Sequence, residues 1–383
     1  MSLVDYRPNL FDFATSELSQ DAFLCWLIDH ARFPGRGALH ACAREFIALL
    51  YIEANPGQAV SGADVVLEEK PRRQVEHIDI LFKAKVAGRL VHFVIEDKVH
   101  TSEHSDQLKR ADLVLERMGV SEGDRVRIYL KTGYLFGQDY KVSRHRYVVF
   151  GPQALLHLLT QYDPESDIFR DFRDRLERRV NETEAGLSNL LGHEGSMALK
   201  SDHVQWGFME RLFPRLSDDS AAGELRNGYK RDGSPYTQFC FIKLEGVLPD
   251  GIREDVFYRL DGRKNPTTEE WGYYLAARQH AGVEDSPEAR QVKLQRLERY
   301  RHAFAEALLE CGSTLVSSRP TTDNRGAKES EIGTVFFGAA TNKVADVLRE
   351  WPAFHRAFLA RLRIEGLIPA DYSPTSEELA AQR

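Results

Sequence analysis

The sequence predicts a mixed α/β core over residues 1–165 and a second, α+β domain toward the C-terminus. Two observations support this prediction. Segments with helical spacing of apolar residues are interleaved with short runs rich in Val, Ile and Phe, and a charged stretch begins near residue 165. The chain has 383 residues, of which 42% are hydrophobic and 28% are charged. It is therefore long enough to bury two separate cores and has the composition of a globular protein.

The elements of the predicted core follow in a definite order. Apolar residues recur at helical spacing in residues 16–30, behind a serine-rich start, and again in 39–54 after the Gly/Pro break FPGRG. Strand patterns follow, and then a helix that ends at a glycine. The order of helix, three strands, helix and strand, with a further strand and helix, indicates a layer whose first strands are antiparallel. The later segments are strands at 63–71, 75–84 and 89–98, a helix at 102–119, strands at 125–132 and 146–151, and a helix at 152–161.

The remaining sequence predicts two further parts. Residues 166–203 are expected to form a helical connector, and residues 204–383 are expected to form an α+β domain of unknown role. Three aromatic-rich strand patterns, a long helix near 286–311 and a helical tail define this second domain. The long helix carries Lys293, Arg296, Arg299 and Arg301 beside an apolar stripe, which predicts a charged face in solvent.

Acidic residues inside two apolar strands are the first sign of a site. If Ala87–Gly88 is the two-residue turn of a hairpin, Asp79 lies directly opposite Glu96. Like charges at opposed positions repel, so a favourable cross-strand pair does not explain them. Lys98 shares the face of Glu96 because strand side chains alternate, whereas Asp97 points the other way. A divalent cation such as Mg²⁺ would relieve the repulsion, and an ion pair of Lys98 with either carboxylate is the alternative.

These residues resemble a known family. Asp79 followed by Glu96-Asp97-Lys98 resembles the D…(D/E)xK signature of the PD-(D/E)xK nuclease superfamily, and the predicted element order is that of its restriction-endonuclease-like core. The segment ELSQDAFLCWLIDH resembles the opening helix of a bacterial, uncharacterised branch of that superfamily. The resemblance covers residues 9–162. No proline precedes Asp79, at a position that varies in the superfamily.

The resemblance implies a phosphodiesterase that depends on Mg²⁺ or Mn²⁺ and acts on nucleic acid, with DNA as the expected substrate. A bacterial defence or DNA-processing role would suit such an enzyme. A catalytically silent module of the same fold, binding nucleic acid or a partner, is the alternative function. By role, the implied site residues are Asp79, Glu96 and the carbonyl of Asp97 as metal ligands, Lys98 at the attacking water, Glu17 in support of the metal, and Gln107 in positioning the site.

The composition and charge of the chain give information on its binding partners and its cellular compartment. The formal net charge of −7 gives no global reason to expect nucleic acid, so binding depends on local clusters. Such clusters predict contacts with a phosphate backbone, although each alone also fits a solvated face. The absence of a signal peptide and of a membrane-spanning stretch, with four distant cysteines, leads us to expect a cytoplasmic protein. A homo-oligomer or a protein partner through the C-terminal domain stays open. The basic clusters are Lys70, Arg72 and Arg73; Lys109 and Arg110; and residues 141–146.

Other common catalytic motifs are absent from the sequence. No GxSxG elbow, P-loop or GxGxxG occurs, which argues against the usual hydrolase, NTPase and dinucleotide-binding classes. His100 and His104 have the spacing of a zinc pair, but the first is expected to end a strand and the second to open a helix. A zinc site at this pair is therefore not predicted.

Overall fold

The computed structural model describes residues 8–99, 107–190, 199–216, 223–230, 233–264, 271–283, 285–315, 328–337 and 343–372. The chain divides into two compact units, Met1–Thr183 and Glu184–Arg383. The finer division at residues 165 and 203 stays a prediction. His100 and His104 lie outside the described residues. Within the described part, no helix combines the length and apolar character needed to span a bilayer.

The first unit is an α/β layer, as predicted. Its six-stranded sheet has the order β1-β3-β4-β5-β6, with β2 paired to β3. The first strands pair antiparallel, and β5 and β6 are added in parallel. The short strand β2 is a feature that the sequence analysis did not predict. The elements are α1 Glu17–Asp29, α2 Ala38–Ala54, β1 Val65–Leu67, β2 Arg72–Val75, β3 Ile78–Val86, β4 Arg89–Lys98, α3 Gln107–Arg117, β5 Arg125–Lys131, β6 Val148–Phe150, α4 Pro152–Thr160 and α5 Asp167–Asn189.

The predicted hairpin between β3 and β4 is confirmed. Val86 pairs with Arg89 and Ile80 with Ile95, so Ala87 and Gly88 form the turn. Both turn residues have positive φ, 49° and 81°, as a type I′ turn requires. This register fixes which side chains share a face at the far end of the hairpin.

Two hydrophobic cores cover the two faces of this sheet. On β4, Phe93 and Ile95 pack into the core formed with α1 and α2, whereas Val94 packs into the smaller core formed with α3. Because strand side chains alternate, Glu96 and Lys98 continue the α3 face and Asp97 continues the α1 face. The end of β4 therefore delivers polar side chains to both faces.

The second unit is an antiparallel sheet with helices, as predicted. Its five strands run in the order β11-β10-β9-β8-β7, each paired antiparallel with its neighbour in the chain. Strand β7 was not among the predicted elements. The elements are α6 Asp202–Leu216, β7 Glu224–Tyr229, β8 Pro235–Leu244, β9 Glu254–Lys264, β10 Trp271–His280, α7 Pro287–Glu310, β11 Glu329–Phe337 and α8 Val344–Ile364.

The prediction of a charged, solvated face on α7 is wrong for three of the four basic residues that it names, Lys293, Arg296 and Arg301, the last of which is 14% exposed and donates to the carbonyl of Glu331. Lys293 is fully buried and donates to Ser330 Oγ at 2.9 Å. Arg296 contacts the buried carboxylate of Glu254 through Nη2 at 2.7 Å, and Tyr300 donates to the same oxygen at 2.9 Å. The buried carboxylate of Glu254 on β9 satisfies Arg296, and Ser330 Oγ together with the carbonyl of Lys328 accepts from Lys293.

Candidate functional site

One ammonium group lies among three oxygen groups at the end of β4. Lys98 Nζ donates to Glu96 Oε1 and to the carbonyl oxygen of Asp97 at 3.1 Å, and lies 3.6 Å from Asp79 Oδ2. The side chains are 6% exposed for Lys98, 2% for Glu96 and 14% for Asp79. The structure thus brings together the three oxygen groups that the sequence predicts as metal ligands, with Lys98 paired to them.

A backbone contact holds the carboxylate of Asp79 in place. Its Oδ2 accepts the N–H of Asp97 at 2.9 Å, which ties β3 to β4 beyond the last paired residues of the ladder. Its Oδ1 accepts from the side-chain amide of Gln74 at 3.0 Å. Both oxygens therefore have fixed donors, so the orientation of this carboxylate is set before any ligand binds.

Three carboxylates influence the charge state of Lys98. Burial alone lowers the pKa of Lys98, but the carboxylates of Glu96, Asp79 and Glu17 outweigh burial, so the pKa is raised. Lys98 is therefore an ammonium at neutral pH. Carboxylates are also the groups that a divalent cation binds.

The predicted residues Glu17 and Gln107 have different surroundings. Glu17 lies in the first turn of α1, where Ser16 caps the helix, and its Oε1 accepts the N–H of Val99 at 3.3 Å. Gln107 is half-buried at the start of α3. Among the described residues, Gln107 makes no hydrogen bond to Asp79, Glu96 or Lys98. The structure therefore connects Glu17 to the end of β4 and leaves the positioning role of Gln107 a prediction.

On the opposite face, Asp97 is buried beneath α1. Gln20 Nε2 donates to Asp97 Oδ1 at 2.5 Å and to the carbonyl of Lys98 at 3.3 Å, and the Gln20 oxygen accepts from Thr132. Asp21 lies beside Asp97, and both are 1% exposed. Gln20 and Asp21 are not among the site residues predicted from the sequence. Their spacing from Glu17, at i+3 and i+4 in α1, was a readable signal, because such residues share one helical face.

Asp21 and Asp97 form a buried carboxyl pair. Burial, and next the charge of Asp79, raises the pKa of Asp21 to about 6. Burial, and next the charge of Asp21, raises the pKa of Asp97 well above its usual value. As two ionised carboxylates, they would leave Asp21 Oδ1 and Asp97 Oδ2 buried without a donor. We therefore expect the pair to hold a shared proton, which would supply that donor.

Gln74 links the carboxyl pair to Asp79. Its Nε2 donates to Asp21 Oδ2 at 3.1 Å and to Asp79 Oδ1 at 3.0 Å. Gln74 has a φ of 52°, a conformation that is costly for a residue with a side chain. Gln74 lies opposite Asp79 in the pairing of β2 with β3, so its strained backbone conformation places its side-chain amide between Asp21 and Asp79. No strand pattern in the sequence reveals this residue.

The chemistry of the oxygen groups fits a divalent cation. Two carboxylates and a carbonyl are hard oxygen ligands of the kind that Mg²⁺ and Mn²⁺ prefer. In the described part of the chain, no group of three or more His, Cys, Asp or Glu side chains is placed to hold a metal. That finding is compatible with this set, since only two of its ligands are side chains and Mg²⁺ keeps several waters.

Comparisons with known proteins agree with this geometry. The family model of the PD-(D/E)XK nuclease superfamily matches residues 8–184, which include both strands of the hairpin and α1. No curated protein and no solved structure matches the chain. The segment of residues 8–184 is therefore assigned to the PD-(D/E)XK nuclease superfamily.

Proposed function

We propose that this protein is a divalent-metal-dependent phosphodiesterase that cleaves nucleic acid, with DNA as the expected substrate. The observation that carries the proposal is the convergence of Asp79, Glu96 and the Asp97 carbonyl on one buried ammonium. This arrangement lies within the residues that match a nuclease superfamily.

The ligands follow from the donor set. Asp79, Glu96 and the carbonyl of Asp97 would hold Mg²⁺ or Mn²⁺, which when bound supplies Lewis acidity and lowers the pKa of coordinated water. Glu17 would support this end of the site, because it already contacts the backbone of Val99 beside it.

Lys98 acts in this proposal as a charged donor. Its raised pKa keeps it protonated, so it is not a general base at neutral pH. An ammonium at this place orients an attacking water through a hydrogen bond and stabilises the negative charge that builds on the phosphate oxygens. Lysine is suited to this because it is a compact point charge with three donors.

The residues on the α1 face position the ligands. Gln74 orients Asp79, and Asp21 orients Gln74. Gln20 clamps the carboxyl of Asp97 and the carbonyl of Lys98. Supports of this kind around metal ligands commonly change metal affinity by about 10- to 100-fold when removed.

Cleavage assays test the proposal. Plasmid, linear duplex and single-stranded DNA are incubated with the full chain in Mg²⁺, in Mn²⁺ and in chelator. Metal-dependent cleavage of at least one form is expected, and Asp79→Asn, Glu96→Gln and Lys98→Met should abolish it. Lys85→Ala, an exposed residue near the hairpin turn, is the matched control. Absence of cleavage of every form, with metal binding demonstrated, would count against the enzyme.

One observation favours the second candidate function, a catalytically silent binding module. Lys98 already contacts all three oxygen groups, so the site is satisfied without a metal. Nucleic-acid binding that is unchanged by chelator and by Glu96→Ala, without cleavage, would support that function. A partner bound through the C-terminal unit also stays a proposal.

A further inference from the structure

A pocket of about 300 Å³ lies beside the candidate site on the outer side of α1. Its walls combine aromatic rings with positive charge. Trp26, His30 and Phe33 come from α1 and the turn that follows it, Lys70 precedes β2, and Arg73 lies in β2. The residues and the volume suit a small ligand that carries both a flat ring system and an anionic group.

The positive charges of the pocket make no close ion pair with a described carboxylate, although Arg73 attracts the more distant carboxyl of Asp21. Within the described residues, neither Lys70 nor Arg73 has an ion-pair partner, whereas other arginines of this unit, such as Arg127, do. Arg73 Nη1 donates to the Leu18 carbonyl at 3.0 Å, which holds the guanidinium against α1. Asp29 also lines the pocket, but Arg32 pairs with it at 3.2 Å. The pocket therefore presents two cations to an anion such as phosphate.

The aromatic residues form a bent wall. The rings of Trp26 and His30 lie 4.7 Å apart and perpendicular, and those of His30 and Phe33 lie 6.5 Å apart at 74°. Phe33 is 45% exposed and lies under the guanidinium of Arg32, 5.5 Å from the ring centroid, whereas Trp26 and His30 are half-buried. Neither buried ring nitrogen of His30 has a hydrogen-bond partner among the described residues. Aromatic rings at the wall of a pocket are surfaces on which nucleobases stack.

The pocket lies close to the predicted cleavage position. Trp26 follows Asp21 by five residues of α1, which is about 7.5 Å along a helix. Arg73 directly precedes Gln74, whose amide contacts Asp79. The pocket therefore adjoins the α1 side of the carboxylate site, to which Asp21 and Gln74 connect it.

We infer that this pocket binds one unpaired nucleotide of the substrate strand. The base stacks among Trp26, His30 and Phe33, and its phosphate lies on Lys70 and Arg73. A paired base stays in the helical stack and cannot enter, so the substrate class is a strand with unpaired nucleotides near the cut. That the pocket lies near a cleavage position rests on the proposed function, whereas binding of the nucleotide does not require a metal.

Binding in chelator tests the inference. The probes are a fluorescein-labelled oligothymidine of about ten nucleotides and a duplex of equal length, with fluorescence anisotropy as the readout. The single strand should bind more tightly than the duplex. Trp26→Ala and Phe33→Ala should weaken single-strand binding by roughly fivefold or more. Lys70→Ala should weaken binding and reduce its salt dependence by about one phosphate contact.

Matched controls come from the same unit. Phe13→Ala removes a ring that is 80% exposed, and Lys85→Ala removes an exposed lysine; neither lines the pocket. Both should bind like wild type. Trp26 packs against Phe23 at 5.6 Å, so its variant requires a folding control. Phe33 and Lys70 are exposed, and their variants keep the test decisive whether or not Trp26→Ala folds.

The outcomes separate the two proposals. The pocket inference is overturned if Phe33→Ala and Lys70→Ala bind the single strand as tightly as wild type does. It is also overturned if wild type binds duplex and single strand with equal affinity. Weakened binding by these variants supports it, even if no DNA is cleaved in Mg²⁺. In that last case the proposed phosphodiesterase fails and the nucleotide pocket stands.

Discussion

Replacement of Lys98 by Met gives the most informative perturbation of the candidate site. Methionine fills a similar volume but removes the ammonium that Glu96 and Asp79 share. Glu96 is 2% exposed and cannot regain solvation from water. Removal of one partner of a buried ion pair typically costs about 3–5 kcal/mol, so Lys98→Met should lose that much unfolding free energy in chelator.

Replacement of a carboxylate should have a smaller effect. Lys98→Met removes the positive charge that faces these carboxylates, whereas Glu96→Gln removes one of the negative charges that repel each other. Lys98 keeps Asp79 and the Asp97 carbonyl in Glu96→Gln. Asp79→Asn keeps an oxygen for the N–H of Asp97. Each should cost less than about 1 kcal/mol, because like-charge repulsion is relieved. Asp79→Ala is a poorer variant, since it leaves that N–H without an acceptor.

A divalent cation should rescue the Lys98 variant. Mg²⁺ at a hundredfold excess over its dissociation constant stabilises a folded protein by about 2.7 kcal/mol. The gain should be larger for Lys98→Met than for wild type, because no ammonium competes for the oxygens. Differential scanning calorimetry in chelator and in Mg²⁺ separates the transitions of the two units. If Lys98→Met melts like wild type in chelator while Glu96→Gln and Asp79→Asn melt well below it, the pair is structural and the metal-site reasoning fails.

Three further predictions follow from contacts around the two cores. Gln74→Ala should weaken Mn²⁺ binding roughly tenfold, because Asp79 loses its amide donor. Gln74→Gly should show the same loss without a lower melting temperature, since glycine adopts the positive φ freely. Equal Mn²⁺ titrations for both variants and wild type would contradict this prediction. Asp97→Asn should retain stability at neutral pH in chelator, because an amide donates to Asp21 and accepts from Gln20. Asp97→Ala should lose about 1–3 kcal/mol of unfolding free energy. Equal thermal melts of the two variants would argue against the shared proton. Burial lowers the pKa of His355 to about 3, below its unfolded value of 6.5. Its contribution to the free energy of unfolding is therefore complete above pH 6.5 and falls by about 2 kcal/mol at pH 5. Urea unfolding of His355→Gln should lack this part of the pH dependence, and an unchanged slope of unfolding free energy against pH would refute the prediction.

The hairpin was predictable from sequence because its information is local. Alternation in β3 and β4 with the turn Ala87–Gly88 fixed the register, and the register fixed that Glu96 and Lys98 share a face. The separation of Asp97 from them follows from the same period of two. These inferences needed no knowledge of the rest of the chain.

The support of the site depended on contacts that strand patterns do not encode. Gln20 and Asp21 reach Asp97 only because α1 packs across the end of β4, although their helical face was readable. Gln74 reaches Asp79 through a left-handed backbone conformation that no propensity predicts. Such residues become visible only when the tertiary packing is known.

The second unit shows the opposite error. The charges of Lys293 and Arg296 were assigned to solvent because helices usually bury only their apolar stripe. Glu254 on β9 and Ser330 on β11 supply their partners from distant parts of the sequence. A long-range polar network of this kind leaves no periodic trace in the helix itself.

Metal-dependent cleavage by paired wild-type and Glu96→Gln proteins tests the central claim most directly. Both are assayed on the same labelled single-stranded DNA, in Mg²⁺ and in chelator, and their binding of that DNA is measured in chelator. The account predicts cleavage by wild type in Mg²⁺ only, and none by Glu96→Gln despite equal binding. Cleavage by Glu96→Gln at the wild-type rate, or wild-type cleavage that persists in chelator, would contradict it.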